Sequence, residues 1–470
     1  MPEVPPTVDL RLDELHGALV DPALTSMNFL NEVAGRYPDA ISLAAGRPYE
    51  EFFEVEAVHR YLDRFCRHLA EDLGHPPDQV RRTLLQYGRT KGIVHHLVAE
   101  HLAVEEKITV DPEAIVVTVG CQEAMYLVLR ALRADPRDVL FAVAPTYVGL
   151  TGAARLVDLP VLPVASGPAG IDLDDLVTQI RRARAAGRRP RACYVMPDFA
   201  NPSGASLDVP TRRELLAVAA AEEILLLEDN PYGLFQLAPG DRPPTLKALD
   251  GDRRVVYLGT FAKTALPGAR VGYVVADQRV GAPDGTVGWF ADELAKIKSM
   301  VTVNTSPIAQ AVVGGRLLEY GGSLVRANER EIAAYRRNLR QALDGLAARF
   351  PPDDPVGRWI SWTAPAGGFF VVVTLPVPAD DALLERSARR HGVLWTPMHH
   401  FYDGGVPVRA LRLSVSAVTP AQLEQGLDRL AALLRTELWR SRADRAVGPA
   451  AEETPESLPR LDRRVSGAER

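Results

Sequence analysis

Cysteine is scarce in this chain: three residues in 470, Cys66, Cys121 and Cys193, odd in number and without CxxC spacing. That excludes a disulfide framework and a cysteine zinc site. Long apolar runs are missing too, since none reaches the ~18 residues that a membrane span needs. The opening MPEVPPTVDLRLDELHG has neither the basic start nor the apolar stretch of a signal peptide. Nor is there an excess of basic charge: 54 Lys and Arg face 60 Asp and Glu, a formal charge of -6. Nucleic acids and anionic membranes are held by clustered basic surfaces, so neither is an expected partner. No internal repeat is visible. His95, His96 and His101 share a helical stretch, but without HExxH or carboxylate spacing they read as a solvated face, and no metal is expected. What is present is an ordinary globular composition, 47% hydrophobic and 24% charged. At about 150 residues per domain the length allows up to about three domains. The expectation is a cytoplasmic protein of enzyme size.

Both ends are polar. Residues 1–20 begin Pro-rich and read as a flexible arm. From Ser441 to Arg470 aromatic residues vanish, and such a composition cannot offset its ordering entropy, so 441–470 reads as a disordered tail. Just before it, Thr419-Pro420-Ala421-Gln422 opens an amphipathic helix, with Thr419 as N-cap and Gln422 as its capping-box partner.

Between about residues 86 and 322, short apolar runs alternate with helical stretches. The runs are AIVVTV (114–119), VLFAVA (139–144), ACYVM (192–196), ILLLE (224–228), VVYL (255–258) and VGYVV (271–275). The intervening helices include Cys121–Ala134, Leu173–Ala186 and Val209–Glu222. Near-continuous apolar strands separated by helices imply a mostly parallel sheet covered on both faces. Residues 323–440 open with a long polar helix, Leu324–Arg349. The strands FFVVVTL (369–375) and ALRLSVS (410–416) follow, a smaller α+β unit with a cleft between it and the sheet.

In such sheets ligands bind beyond the carboxyl ends of the strands. Gly120, Cys121 and Gln122 end one strand and start a helix, whose free N–H groups suit a phosphate, although every βα unit has such a turn. Tyr147 follows the next, where a loop aromatic packed on the core is the plainer reading. Asn201 precedes Pro202 and either caps the next element or faces a ligand. Asp229 ends a buried run, and a buried carboxylate is costly unless paired. Tyr232 lies three residues on. Thr260, Lys263 and Arg270 surround a Gly/Pro turn, where the lysine is either a solvated surface group or an amine in a cleft, whose pKa a neighbouring arginine would depress and so make it nucleophilic.

Taken in order, NPSG, DNPY and TFAK...PGAR resemble the fold-type I pyridoxal 5′-phosphate (PLP) aminotransferases, closest to the 2-aminoadipate and aromatic branch, over about residues 20 to 440. The resemblance implies an α/β fold, with a mostly parallel seven-stranded sheet in a large PLP-binding domain (86–322). A smaller α+β domain (323–440) is joined by an N-terminal segment (21–85) that also forms the substrate entrance. It implies that Lys263 carries the cofactor and moves the proton, that Asp229 pairs with the pyridine nitrogen, and that Tyr232 and Asn201 bond the ring's phenolic oxygen. Tyr147 would stack on the ring. Cys121, Gln122, Thr260 and Arg270 would hold the phosphate. This chain has Cys121 where relatives often carry Ser, and Ala262 where they carry a further hydroxyl. Tyr87 would reach the phosphate of a neighbouring subunit, implying a homodimer with shared sites. Arg412 would clamp the substrate α-carboxylate, a two-point contact that a lysine cannot reproduce.

The expected partners are thus a small amino acid and a 2-oxo acid. The same constellation also serves PLP lyases, decarboxylases and oxidases. A ligand-sensing regulator is disfavoured because no basic winged-helix segment precedes the fold. SMNFLNEVAGRYPDAISLAAGRP, QYGRTKG and PTYVGLTGAARLVDLPVLPV are similar to aminotransferases that form hydroxyphenylglycines for glycopeptide-type antibiotics, with a general aromatic or 2-aminoadipate enzyme as the alternative. On that resemblance Gly46, Arg47 and Phe29 join Arg412 and Asn201 as substrate residues. His399-His400-Phe401 would form a pocket loop, and Met27, Asn28 and Trp395 are further pocket candidates for which core packing is the default.

Overall fold

The computed structural model describes residues 10–167, 169–238, 240, 242–402 and 406–447. The apolar runs form seven strands: β1 Ile115–Val119, β2 Asp138–Val143, β3 Val161–Val164, β4 Arg189–Val195, β5 Leu225–Asp229, β6 Val255–Thr260 and β7 Val271–Val275. They lie in the order β1-β7-β6-β5-β4-β2-β3. The β2–β3, β2–β4, β4–β5 and β5–β6 pairs are parallel. Only β7 is reversed, antiparallel to both β1 and β6. Strand β3, VLPV, is half-buried and is not among the six runs that the sequence made evident.

Successive side chains point to opposite faces of a strand, and both faces are covered. Phe141, Cys193 and Leu226 meet helices α4 (Leu173–Ala185) and α5 (Val209–Ala221). Their neighbours Leu140, Ala192 and Leu227 meet α2 (Gly120–Leu132) and α3 (Val148–Leu156) on the other face. Helix α6 (Pro307–Glu319) covers β1 and β7. Asp172 and Asp208 cap α4 and α5 through backbone N–H groups three residues on.

The second sheet has strands β8 (Ser361–Trp362), β9 (Phe370–Thr374), β10 (Thr396–Pro397) and β11 (Ala410–Ser414), antiparallel in the order β8-β9-β11-β10. Here alternation separates two tasks. Val371, Val373, Leu411 and Leu413 pack on α7 (Glu329–Arg349) and α8 (Pro420–Val447). Phe370, Val372 and Arg412 occupy the opposite face. The stretch Ile41–Ser42 pairs with Val393–Leu394, and Leu43 accepts a bond from Ser414 N–H, so the chain from 41 to 47 runs along this sheet. It starts from helix α1 (Pro22–Arg36).

Three sequence expectations need correction. The helix expected over Leu324–Arg349 is broken at Asn328, whose side-chain amide donates to the carbonyls of Thr264 (2.8 Å) and Leu324 (2.7 Å). An Asn side chain competes with helix bonding in just this way. Helix α8 reaches Val447, past the boundary expected at Ser441, while 448–470 lie outside the described residues. Of the 1–20 arm, residues 1–9 also lie outside them, and the rest holds 3-10 turns at Leu12–Glu14 and Gly17–Val20. The box at Thr419 forms as expected: Gln422 N–H donates to Thr419 Oγ1, and Thr419 N–H to Gln422 Oε1. No helix among the described residues is long and apolar enough to cross a membrane.

Candidate active site

The carboxyl ends of β1, β4, β5 and β6 meet the segment 44–46 and the Phe370/Arg412 face of the second sheet around a cavity of about 220 Å³. Asp229, the last residue of β5, is buried at its floor. Tyr194 Oη donates to one of its carboxylate oxygens at 2.7 Å, and Cys121 Sγ lies 3.7 Å from the other. Burial pushes the Asp229 pKa up to about 6, against the pull of those two donors and of Lys263. Across the cavity, Lys263 Nζ donates to Gly46 O at 2.9 Å. Burial, with the charges of Arg270 and Arg412, lowers the Lys263 pKa to about 8, so a substantial neutral fraction exists near neutral pH.

Backbone geometry explains the next feature. Gly120 has φ +71°, and a Cβ there would stand 2.4 Å from Arg270 Nη2. The missing side chain lets the Arg270 guanidinium lie against the first turn of α2, beside Cys121 and Gln122. A helix N-terminus and a guanidinium thus converge, which is an anion cradle. Thr260 stands beside it, its hydroxyl accepting from Ala262 N–H. Gln122 is held by Gly149 O at 2.6 Å. Burial raises the phenol pKa of both Tyr147 and Tyr232, which keeps them neutral.

Arg412 sits opposite Thr396 in the register and is almost wholly buried. Its Nη1 donates to Asn201 Oδ1, and its Nη2 to Ala44 O (2.9 Å) and Thr396 Oγ1 (3.2 Å). The rings of Phe370 and Phe401 lie 4.3 and 4.8 Å from its guanidinium carbon. Nε has no acceptor. Burial depresses even this pKa, to about 10. A buried donor without a partner is expensive, and a ligand carboxylate would supply the missing acceptor.

Eleven expected residues line the cavity: Gly46, Cys121, Gln122, Tyr147, Asn201, Asp229, Tyr232, Thr260, Lys263, Arg270 and Arg412. Three do not. Tyr87 is 84% exposed and away from the cavity of its own chain. Arg47 is exposed, contributing only a carbonyl to Ser416 Oγ. Phe29 stands behind the wall, stacked on His400 at 4.9 Å. Trp395 is core, its indole N–H bonded to Ser387, while the side chains of Met27 and Asn28 lie outside the described residues. Of the His399–Phe401 loop, Phe401 reaches the cavity and the histidines turn to Asp381.

Sequence reasoning missed Tyr194, Thr396 and Phe370. The polar tip of Tyr194 within the apolar run ACYVM was the available signal, since a buried phenol needs a partner. A larger cavity, about 460 Å³, lies between helix Val55–Arg67 and α6. Its lining holds no lysine, cysteine, histidine or aspartate. Two of its arginines are committed, Arg60 to Glu319 and Arg330 to Phe52 O, so it is the poorer candidate for chemistry.

Residues 63–430 match the family model described as aminotransferase class I and II. The chain is 56% identical to (S)-3,5-dihydroxyphenylglycine transaminase of Amycolatopsis orientalis, over 93% of this chain and 97% of that one. It is 30% identical to 2-aminoadipate transaminase of Thermus thermophilus, over 85% and 91%. Among solved structures, the α-aminoadipate aminotransferase LysN of Thermus thermophilus, complexed with N-(5′-phosphopyridoxyl)-L-leucine, superposes with a TM-score of 0.74 at 28% identity, covering 92% and 100%.

Proposed function

The chain belongs to the class I and II aminotransferases, PLP-dependent enzymes that move an amino group between an amino acid and a 2-oxo acid. From that premise we propose that its oxo-acid substrate is a hydroxylated arylglyoxylate and its product a hydroxyphenylglycine. The observation that carries this is the Arg412 guanidinium set between the rings of Phe370 and Phe401. A carboxylate drawn to Arg412 arrives beside two aromatic faces, which suit a ring attached directly to the reacting carbon. The cations lining the described cavity are Lys263, Arg270 and Arg412. Each has a task, leaving none for the second carboxylate of 2-aminoadipate or glutamate. The Amycolatopsis relative, by name a dihydroxyphenylglycine transaminase, supports the same reading.

The residues present fit the cofactor: an anion cradle, a buried acid and a partly neutral buried amine line one small cavity. When bound, PLP supplies an aldehyde that takes up the amino group and a ring that draws electrons from Cα as its proton leaves. In our reading Arg270, Thr260 and the N–H groups of Cys121 and Gln122 would hold the phosphate. Asp229, steadied by Tyr194, would keep its charge against the protonated ring nitrogen. Tyr147 would stack on the ring, and Asn201 and Tyr232 would bond its phenolic oxygen. Lys263 takes up and returns the Cα proton, a task that needs a pKa near the working pH. Arg412 fixes the carboxylate and excludes water together with Phe370 and Phe401.

The proposal includes a homodimer. Tyr87 and Leu85 are exposed, and Gly88 lies against Asn304 and Pro307, next to exposed Met300, Val303 and Ile308. Clustered exposed apolar residues mark an association surface, and Tyr87 would complete the partner's phosphate site. A cytoplasmic location belongs to the same reading, and three unbridged cysteines suit a reducing compartment. The deciding experiment compares kcat/KM for hydroxyphenylglycines, tyrosine, glutamate and 2-aminoadipate. Hydroxyphenylglycines should win. A wide margin for 2-aminoadipate or glutamate overturns the substrate reading and leaves the aminotransferase intact.

A further inference from the structure

His400 lines no part of the cavity, yet it is held on three sides. Its Nδ1 lies 2.8 Å from Ser26 Oγ, its Nε2 3.0 Å from Asp381 Oδ1, and the Phe29 ring stacks on it at 4.9 Å and 29°. A carboxylate only accepts, so Nε2 donates to Asp381, while Nδ1 shares a hydrogen bond with the Ser26 hydroxyl. Bonds at both ring nitrogens fix the ring's orientation. Ser26 and Phe29 belong to α1, whereas His400 belongs to the 3-10 turn Met398–Phe401. The next residue on that turn is Phe401, which faces Arg412. The Phe401 carbonyl accepts from Thr146 N–H, beside Tyr147. Asp21, the residue that leads into α1, is also tied to α3, which begins just after Tyr147, through Arg155 at 2.9 Å. One helix therefore braces both walls of the substrate space, and His400 is the joint on the Phe401 side.

We propose that His400 is a positioning residue that sets the preference for an aromatic side chain, by locking the Phe401 turn to α1. This rests on the arylglycine reading above. The physical reason is rigidity: a ring wall that keeps its place contributes its full contact to a substrate ring, and one that must first be ordered contributes less. Alanine as substrate presents no ring to Phe401, so its binding should not register the joint.

The test uses the PLP-loaded enzyme with His400→Ala, Ser26→Ala and the double variant. In His400→Ala, KM for hydroxyphenylglycine should rise about tenfold, the equivalent of ~1.4 kcal/mol. KM for alanine, kcat and the cofactor spectrum should stay within about twofold. Ser26→Ala should add little to His400→Ala, because both cut the same link. His400→Asn, which keeps a polar group near Ser26, should recover part of the loss. Equal changes for both substrates, or none, overturn the proposal. So does a chelator that reproduces the His400→Ala behaviour in the wild type, since His399 and His400 Nε2 lie 3.6 and 3.0 Å from Asp381 and a bound metal would then be holding the turn. A wild type that prefers 2-aminoadipate sinks the substrate reading. A wild type that prefers hydroxyphenylglycine, with unchanged variants, sinks the role of His400 alone.

Discussion

Tyr194 donates its phenolic proton to Asp229 at 2.7 Å from the neighbouring parallel strand, below the floor of the cavity. The bond is part of what lets a carboxylate that is 2% exposed remain ionised at neutral pH. A hydrogen bond to a charged group contributes about 1.5–3 kcal/mol. Tyr194→Phe should therefore lower kcat by roughly tenfold, with KM for the amino donor little changed. Asp229→Asn, which removes the charge itself, should cost several orders of magnitude. Steady-state kinetics on the two variants check this, and an unchanged kcat in Asp229→Asn would mean that the acid has another task.

The same carboxylate makes a stability prediction for the cofactor-free protein. The folded pKa, about 6, is raised above the ordinary value of 3.8. Between these values the folded state holds a proton that the unfolded chain has lost, so stability falls as pH rises through that window. Two pKa units correspond to about 3 kcal/mol. Cofactor-free Asp229→Asn should thus unfold at a higher temperature than wild type at pH 7.5, and the gap should close as pH falls towards 4. Calorimetry across that range reads the difference. A gap independent of pH would contradict it.

Lys263 predicts a second pH dependence, of opposite direction. Its pKa is lowered from 10.5 to about 8, and only the neutral amine attacks an aldehyde. The rate at which cofactor-free protein takes up PLP should rise with pH through about 8 and then level off. Lys263→Ala should lose the borohydride-fixable chromophore and essentially all turnover. A fully active Lys263→Ala enzyme would refute the assignment.

At the phosphate cradle, Gly120→Ala puts a methyl group 2.4 Å from the tip of Arg270, at a φ that L-residues adopt at a cost of about 1–2 kcal/mol. The guanidinium is the movable partner, so the fold should survive while the cradle opens. PLP affinity, measured by absorbance titration, should weaken more than about tenfold, the scale of one lost charge-assisted contact.

Arg412→Lys keeps a charge and loses the fork. Bonds to Asn201, Ala44 and Thr396 cannot all be remade by one ammonium. KM for the amino acid should rise on the order of a hundredfold, with a smaller fall in kcat, and an unchanged KM would place the carboxylate elsewhere.

The sequence by itself determined six of the seven strands of the large sheet and the residues at their ends. Short apolar runs bounded by turns and alternating with helical stretches read as buried strands, and the βα rule then pointed to Asp229, Asn201, Lys263 and Arg270 without any knowledge of contacts. It also determined the cap at Thr419, because a capping box is closed within four residues. Tertiary structure decided what depends on distant partners. Tyr194 reads as core until β5 brings Asp229 alongside it. Phe29 reads as a pocket residue until His400, 371 positions away, is found stacked over it. Asn328 breaks a helix that its local sequence favours, because the carbonyl of Thr264 is within its reach. Arg412 acquires its acceptors and its flanking rings only when residue 44, residue 201 and the second sheet close around it. Periodicity and turn chemistry act over a few residues and are written locally. The packing of one layer on another is a choice among many apolar faces of similar energy, and only the folded chain makes it.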